Sequence, residues 1–124
     1  MKKTHLTIFI FLLSALFAES AMAKCSDAVN EGVNWRRCLI DGEDLSEKNL
    51  KNSDLREASL ARVNLSKSDL TSVDARRAKF FGANLSEVNF TSANLAEADF
   101  TKADLTGAIF INADLSRARF YGAK

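Results

Sequence analysis

The feature that most constrains this chain of 124 residues is a large apolar residue that returns at every fifth position from Trp35 to Phe120. Seventeen of the eighteen positions in this series are large and apolar, and Ala75 is the exception. The residue two positions earlier is Ala, Val, Ser or Cys in sixteen of the eighteen repeats, and the residue one position earlier is Asp or Asn in thirteen. One short structural unit is therefore repeated along the chain.

Neither an α-helix nor a continuous strand accounts for a period of five. Five residues of α-helix rotate the side chain by about 140°, which spreads the apolar residues around the whole cylinder. A strand alternates sides with period two, so residues five apart face opposite sides. The remaining arrangement is a short extended piece, which directs the small and the large residue inward, followed by a corner. The chain must then coil, and stacked coils bury a continuous interior.

The glycines mark the corners of these coils. All five lie two positions after a position of the five-residue series, which for Gly32 is extended back by one repeat. A corner at this place needs a positive φ. The five glycines are Gly32, Gly42, Gly82, Gly107 and Gly122.

The repeated motif Ala-(Asp/Asn)-Leu-x-x, as in Ala-Asn-Leu at 93–95, resembles that of the pentapeptide-repeat family. The resemblance covers 33–124, with departures at Glu43 and Lys48, which replace the small inward residue, and at Ala75. It implies an all-β fold, a right-handed quadrilateral β-helix with four repeats per coil and about four and a half coils. Residues 20 apart then stack on one another.

Residues 1–23 have the pattern of a secretory signal peptide. Lys2 and Lys3 precede an apolar run over 6–18, and an Ala-x-Ala motif predicts cleavage after Ala23. The apolar run is too short to span a membrane as a helix. We therefore expect a periplasmic or secreted protein that does not span the membrane.

The composition of the chain after cleavage excludes several functions. Removing Lys2, Lys3 and Glu19 from 17 basic and 16 acidic residues leaves fifteen of each, and the remaining 101 residues contain no His, Met or Pro. Without a histidine, a free thiol or a glycine-rich phosphate loop, we predict no catalytic, cofactor-binding or metal-binding residues and no enzyme. Zero net charge also argues against binding to nucleic acid.

Residues 24–32 lack the repeat, and we interpret them as an N-terminal cap on the β-helix at 33–124. Cys25 and Cys38 are the two cysteines, and an exported chain meets an oxidising compartment. We expect a disulfide that ties the cap to the first coil and contributes about 3 kcal/mol. The alternatives, a redox pair or metal ligands, lack a Cys-x-x-Cys spacing and any histidine.

Stacking by 20 arranges the outward charges in columns. One column alternates in sign: Arg37, Glu57, Arg77, Glu97 and Arg117. Its neighbour is uniformly basic, with Arg36, Arg56 and Arg76 beside a mostly acidic column that contains Asp54 and Asp74. We interpret these columns as a solvated charge network, and an anion or phosphate groove is the alternative.

The candidate binding face carries two aromatic residues outside the core, Phe81 and Tyr121. Glycines beside them leave the rings accessible, and Arg62 and Lys102 are placed to stack on them. Such a strip suits a partner protein or a glycan.

A candidate dimer interface lies at the C-terminal coil, where no capping helix follows Leu105, Phe110, Leu115 and Phe120. Two copies meeting end to end about a two-fold axis would cover these residues. The alternatives are a frayed monomer and a different partner that supplies the cap.

The function expected from these features is a non-enzymatic periplasmic or secreted scaffold, or protein-binding module, without a cofactor. We expect its partner to be an unknown macromolecule of the envelope or the extracellular space, and we expect that macromolecule to be a protein. The resemblance to the pentapeptide-repeat family supplies the alternative, a DNA-mimicking inhibitor of a type II topoisomerase. Zero net charge and the export signal argue against that alternative.

Overall fold

The computed structural model describes residues 25–124, so the predicted signal peptide lies outside the described residues. Within this range there is no helix and no strand longer than one residue, because each repeat contributes one isolated β-bridge and a two-residue turn. Every bridge is parallel and joins residues 20 apart, from Asn34–Asp54 to Asp99–Arg119. A coil therefore takes four repeats, as predicted.

Backbone hydrogen bonds between coils repeat with the same period. In one repeat, Leu55 N donates to Asp74 O (2.7 Å) and Glu57 N donates to Arg76 O (2.9 Å), both in the next coil. The residue before Leu55 points the other way, since its N–H donates to Val33 O (3.0 Å) in the coil before. Pairing in both directions satisfies backbone groups that would otherwise be buried without partners.

Each corner is a tight turn closed by a backbone hydrogen bond, such as that from Ala58 N to Leu55 O (3.0 Å). The third residue of the turn has φ between 56° and 73° at all nineteen corners from Gly32 to Gly122. Glycine occupies five of these positions, as predicted, but the other fourteen carry Arg, Glu, Asn, Lys or Ser. The repeating fold thus imposes on ordinary residues a conformation that they rarely adopt.

The interior is filled by the repeat's own large residues. Phe80 and Phe100 stack with their ring centroids 5.2 Å apart, and Phe90, from the opposite face, contacts each of them edge-on at 6.1 Å. These three side chains have no exposed surface. Rings that meet across the coil leave a packed core rather than a ligand cavity.

The first coil departs from the pattern where the sequence does. Glu43 and Lys48 occupy the inward phase, but both residues are exposed. One coil later the buried Ser68 adapts to this change, because its Oγ accepts a hydrogen bond from Lys48 N (3.0 Å) and donates one to Leu45 O (2.6 Å).

The N-terminal segment is joined to the first coil by the predicted disulfide between Cys25 and Cys38, with a Cα–Cα distance of 5.4 Å. The end of this segment already has the geometry of a corner, since Gly32 N donates to Lys51 O (2.8 Å) and Val33 N donates to Asn30 O (3.2 Å). No helix in residues 25–124 is long and apolar enough to cross a membrane.

Candidate functional site

The Asp or Asn that precedes the large apolar residue of a repeat closes the corner that follows it. Its Oδ1 accepts a hydrogen bond from the backbone N–H two residues later, which is an Asx turn. At Asn84, for example, Oδ1 accepts from Ser86 N (3.1 Å) and from Ser86 Oγ (2.7 Å). The same bond forms at all thirteen such residues: Asn34, Asp44, Asn49, Asp54, Asn64, Asp69, Asp74, Asn84, Asn89, Asn94, Asp99, Asp104 and Asp114. The preference for Asp or Asn is visible in the sequence, but its role in closing the corner is not.

Four of the five repeats without an Asx residue lie on one side of the coil. We call this side the aromatic face, which comprises 39–42, 59–62, 79–82, 99–102 and 119–122. At one of its corners a carboxylate from the coil before replaces the missing side chain, because Asp41 Oδ1 accepts from Ala61 N (3.0 Å) and from Ser59 Oγ (2.6 Å). This contact was not expected from the sequence, since Asp41 reaches along its own column to Ala61, 20 positions later, and across to Ser59 in a neighbouring column.

The aromatic face contains all four residues of the candidate binding face. Tyr121 is 81% exposed, and Phe81 is 38% exposed. Lys102 Nζ lies 5.7 Å from the centroid of the Phe81 ring, within reach of a cation–π interaction. Arg62 lies one coil before Phe81, with its Cγ 3.5 Å from where a Cβ at Gly82 would be. A side chain at position 82 would therefore be in ordinary van der Waals contact with the stem of Arg62.

Two arginines of the basic column, Arg56 and Arg76, are paired with their own acidic neighbours. Arg56 donates to both carboxylate oxygens of Asp54 (2.8 and 2.6 Å), and Arg76 donates in the same way to Asp74 (2.9 and 2.8 Å). The hydrogen bond from Arg56 lowers the pKa of Asp54 more than burial raises it, and both arginines have a raised pKa. These forks favour the charge-network interpretation over an anion groove.

A shallow groove of about 260 Å³ lies over this network. It is lined by Arg36, Arg56, Glu57, Arg76, Arg77 and Glu97. In the alternating column, Arg37 pairs with Glu57 and Arg77 pairs with Glu97, each at 3.4 Å. These pairs are exposed, so each contributes little to stability.

The candidate dimer end is less covered than the coil before it. Leu105, Phe110 and Leu115 are half-buried and Phe120 is 41% exposed, although Phe120 still stacks on Phe100 at 5.1 Å. The residues 20 positions earlier are fully buried: Leu85, Phe90, Leu95 and Phe100. The same coil exposes Ile109 and Ile111.

Comparison with known families identifies the repeat. The profile of the family described as Pentapeptide repeats matches eight copies over residues 49–86 and 83–122. The chain belongs to the pentapeptide-repeat family. Its four-sided coil is accordingly the right-handed quadrilateral β-helix that this family forms. Among residues 25–124, no group of three or more His, Cys, Asp or Glu side chains is arranged to hold a metal ion.

Solved pentapeptide-repeat structures resemble this fold. HetL, involved in heterocyst differentiation regulation in the cyanobacterium Nostoc sp. strain PCC 7120, is 30% identical with a TM-score of 0.62 over 74% of this chain and 48% of HetL. QnrB1, a plasmid-mediated fluoroquinolone resistance protein, is 23% identical with a TM-score of 0.65 over 71% of this chain and 48% of QnrB1. The chain therefore spans about half the length of these proteins. No match was found among curated protein sequences.

Proposed function

We propose that this pentapeptide-repeat protein is a non-enzymatic binding module of the periplasm or the extracellular space. It is a rod of about four and a half coils that presents its aromatic face to a partner protein. The observation that carries the proposal is the exposure of Tyr121 (81%) on the face that also carries Phe81 and its neighbouring cations. Tyrosine and arginine are enriched among the residues that contribute most to protein interfaces.

The charge of the aromatic face supports the choice of this surface. It carries four cations (Arg62, Lys79, Lys102 and Arg119) and two carboxylates (Asp41 and Asp99), whereas the chain from residue 24 onward is neutral. A local excess of positive charge steers a partner of opposite charge and fixes its orientation.

Proximity labelling in the native envelope tests this proposal. We compare the wild-type protein with the double variant Phe81→Ala/Tyr121→Ala, and use Ile111→Ala as a matched control because Ile111 is an exposed apolar residue on another face. We expect a labelled partner that is lost in the double variant and retained in the control. A labelling pattern that is the same in all three proteins, each shown to be folded by circular dichroism, would overturn the proposal.

A DNA-mimicking inhibitor of a type II topoisomerase is the second candidate. The likeness of the fold to QnrB1 favours it, but at 23% identity that likeness concerns the fold alone. The paired Arg56 and Arg76 interrupt what would have to be an acidic surface. A gyrase-supercoiling assay with purified protein discriminates the two candidates, since clear inhibition would replace our proposal with this one.

We also infer an end-to-end homodimer through Leu105, Phe110, Leu115 and Phe120. The incomplete burial of these side chains supports it, because the equivalent side chains one coil earlier are fully buried. An isologous contact about a two-fold axis closes on itself and does not propagate into a fibre.

A further inference from the structure

We propose that the aromatic face recognises the carboxylate groups of an acidic partner segment at the corners of Phe81 and Tyr121. We call these corners open because no side chain accepts a hydrogen bond from their backbone N–H groups. This inference rests on the proposed function and names the chemistry of the partner. The groups concerned are the backbone N–H groups that have no Asx acceptor here but donate to an Asx side chain at most other corners of the protein.

The protein already contains the interaction that we assign to the partner. At Ala61, whose own repeat has Ser59 in the Asx position, the carboxylate of Asp41 arrives from the coil before and accepts from the N–H of Ala61 at 3.0 Å. A carboxylate from outside the repeat can thus close a corner. At Ala61 that carboxylate also accepts a second hydrogen bond, from the hydroxyl of Ser59.

The corners of Phe81 and Tyr121 have no such oxygen. Lys79 and Arg119 take the Asx positions there, and neither N–H has a hydrogen-bond acceptor among residues 25–124. Instead, each corner has a basic side chain two residues before its open N–H. Lys79 has no ion-pair partner among residues 25–124, whereas Arg119 also donates to Asp99 Oδ2 (3.1 Å). A carboxylate placed at these corners would receive a charge-assisted hydrogen bond and an adjacent positive charge.

These two corners lie on the aromatic face, two coils apart, which corresponds to about 10 Å at the usual spacing of paired strands. The corner of Asp41 on this face also has an N–H without an acceptor among residues 25–124, but Leu39 rather than a cation occupies its Asx position. The corner between them is closed, since Asp99 Oδ1 accepts from Thr101 N (3.0 Å) and Thr101 Oγ1 (2.6 Å). A segment in the polyproline II conformation repeats every three residues, or about 9 Å. We therefore infer an extended segment whose acidic residues are three positions apart.

An NMR titration tests the site with residues of the same chain as controls. The probe is the blocked peptide Ac-Asp-Ala-Ala-Asp-NH2, and Ac-Asn-Ala-Ala-Asn-NH2 is its neutral counterpart. We expect the amide resonances of Phe81 and Tyr121 to move downfield and saturate with the acidic peptide only. The amide of Ala61 is already bonded, and the amide of Ile111 is open but has Ile109 rather than a cation beside it. Both should stay in place, and an equal shift at Ile111, or none at Phe81 and Tyr121, would contradict the proposal.

Substitutions that close the corners from within complete the test. Lys79→Asn supplies an Asx oxygen to Phe81, so this variant should lose the shift at Phe81 and keep it at Tyr121, with peptide affinity reduced roughly tenfold. Arg119→Asn should do the reverse, and Ser59→Ala should leave both shifts unchanged. A Lys79→Asn variant that binds the peptide as the wild type does would overturn the inference.

Failure of this inference is distinguishable from failure of the proposed function. A labelled partner that is lost in Phe81→Ala/Tyr121→Ala but retained in Lys79→Asn/Arg119→Asn would leave the binding module in place and remove the carboxylate site. Saturable peptide shifts at both corners, without any partner that depends on the two rings, would keep the carboxylate site and remove the proposed function.

Discussion

At the scale of single residues, Asn84 illustrates what the Asx side chain contributes to a corner. Its Oδ1 accepts from the backbone N–H and from the hydroxyl of Ser86, and thus replaces water on the outside of the coil. Asp makes the same contact at other corners, such as that of Asp104 with Thr106. Either Asn or Asp can therefore close the turn, and the choice between them changes only the charge at the corner.

We predict that Asn84→Ala lowers the free energy of unfolding by about 1 kcal/mol, since it removes the acceptor of two hydrogen bonds. Asn84→Asp keeps the oxygen and should stay within about 0.5 kcal/mol of the wild type. Urea denaturation of the three proteins measures both values. Equal losses in the two variants would show that the side-chain amide, rather than the Asx oxygen, stabilises the corner.

The Asx aspartates also make the stability depend on acid. Hydrogen bonds from Ser46, Thr106 and Ser116 lower the pKa of Asp44, Asp104 and Asp114, respectively, below the ordinary value of 3.8. Because the folded state holds these pKa values down, their contribution is present above the unfolded value and is lost as the pH falls through the folded one.

We therefore expect the free energy of unfolding to fall between about pH 5 and about pH 2. The variant Asp114→Asn keeps the turn but removes one titrating group, so its urea midpoint should depend less on pH over this interval. Urea midpoints measured at several pH values check this expectation. A wild type and a variant with the same pH dependence would contradict it.

At the scale of the structural element, the corner determines which residue types the repeat tolerates. All nineteen corners have a positive φ at the third position of the turn, whether that residue is Gly or not. A residue with a Cβ is disfavoured in this conformation by roughly 1–2 kcal/mol. The fold accepts this cost because the hydrogen bonds between coils determine the backbone at each corner.

Opposite substitutions at two corners measure that cost. A Cβ at Gly42, where φ is 73°, would meet nothing within 4 Å, so we predict that Gly42→Ala lowers the free energy of unfolding by about 1 kcal/mol through the backbone alone. Ser72 has a φ of 57°. Because glycine adopts this conformation readily, Ser72→Gly should be neutral or stabilising. Thermal unfolding compares the three proteins, and a destabilised Ser72→Gly variant would be the contrary result.

The period of five predicted the corners and the packed interior because each depends on residue type at a fixed phase. Leu85, for instance, is large, apolar and fully buried as expected. The contact of Asp41 with Ala61 was not predictable, since periodicity does not say how far a side chain reaches along the axis. The exposure of Glu43 and Lys48 likewise depends on the first coil being packed from one side only. Repeats that are equal in sequence phase are unequal in burial near the ends.

At the scale of the whole molecule, the coils form a rod whose two ends differ. At the N-terminal end the disulfide between Cys25 and Cys38 joins the preceding segment to the first coil. At the other end Phe120 is 41% exposed. The exposed side chains at this end underlie the inferred homodimer, and the aromatic face lies along the side of the rod.

We predict that the protein sediments as a dimer at tens of micromolar and that replacing Phe110 and Phe120 by charged residues gives a monomer. The charges would have to be buried unpaired in the interface, which costs far more than the contact contributes. Sedimentation equilibrium decides this, with circular dichroism to establish that the variant is folded. A monomeric wild type, or a dimer unchanged in the folded variant, would remove the interface.

The central claim, that the aromatic face is the surface that binds a partner, is tested most directly by site-specific photo-crosslinking in the native envelope. A benzoylphenylalanine replaces Tyr121 in one protein and Ile111 in another, and both positions are exposed in the wild type. We predict a discrete crosslink to a different protein from position 121 and none from position 111, whereas a crosslink to a second copy of this chain reports on the inferred homodimer and is scored separately by its mass. Crosslinks of equal yield from both positions, or from position 111 alone, would contradict this prediction.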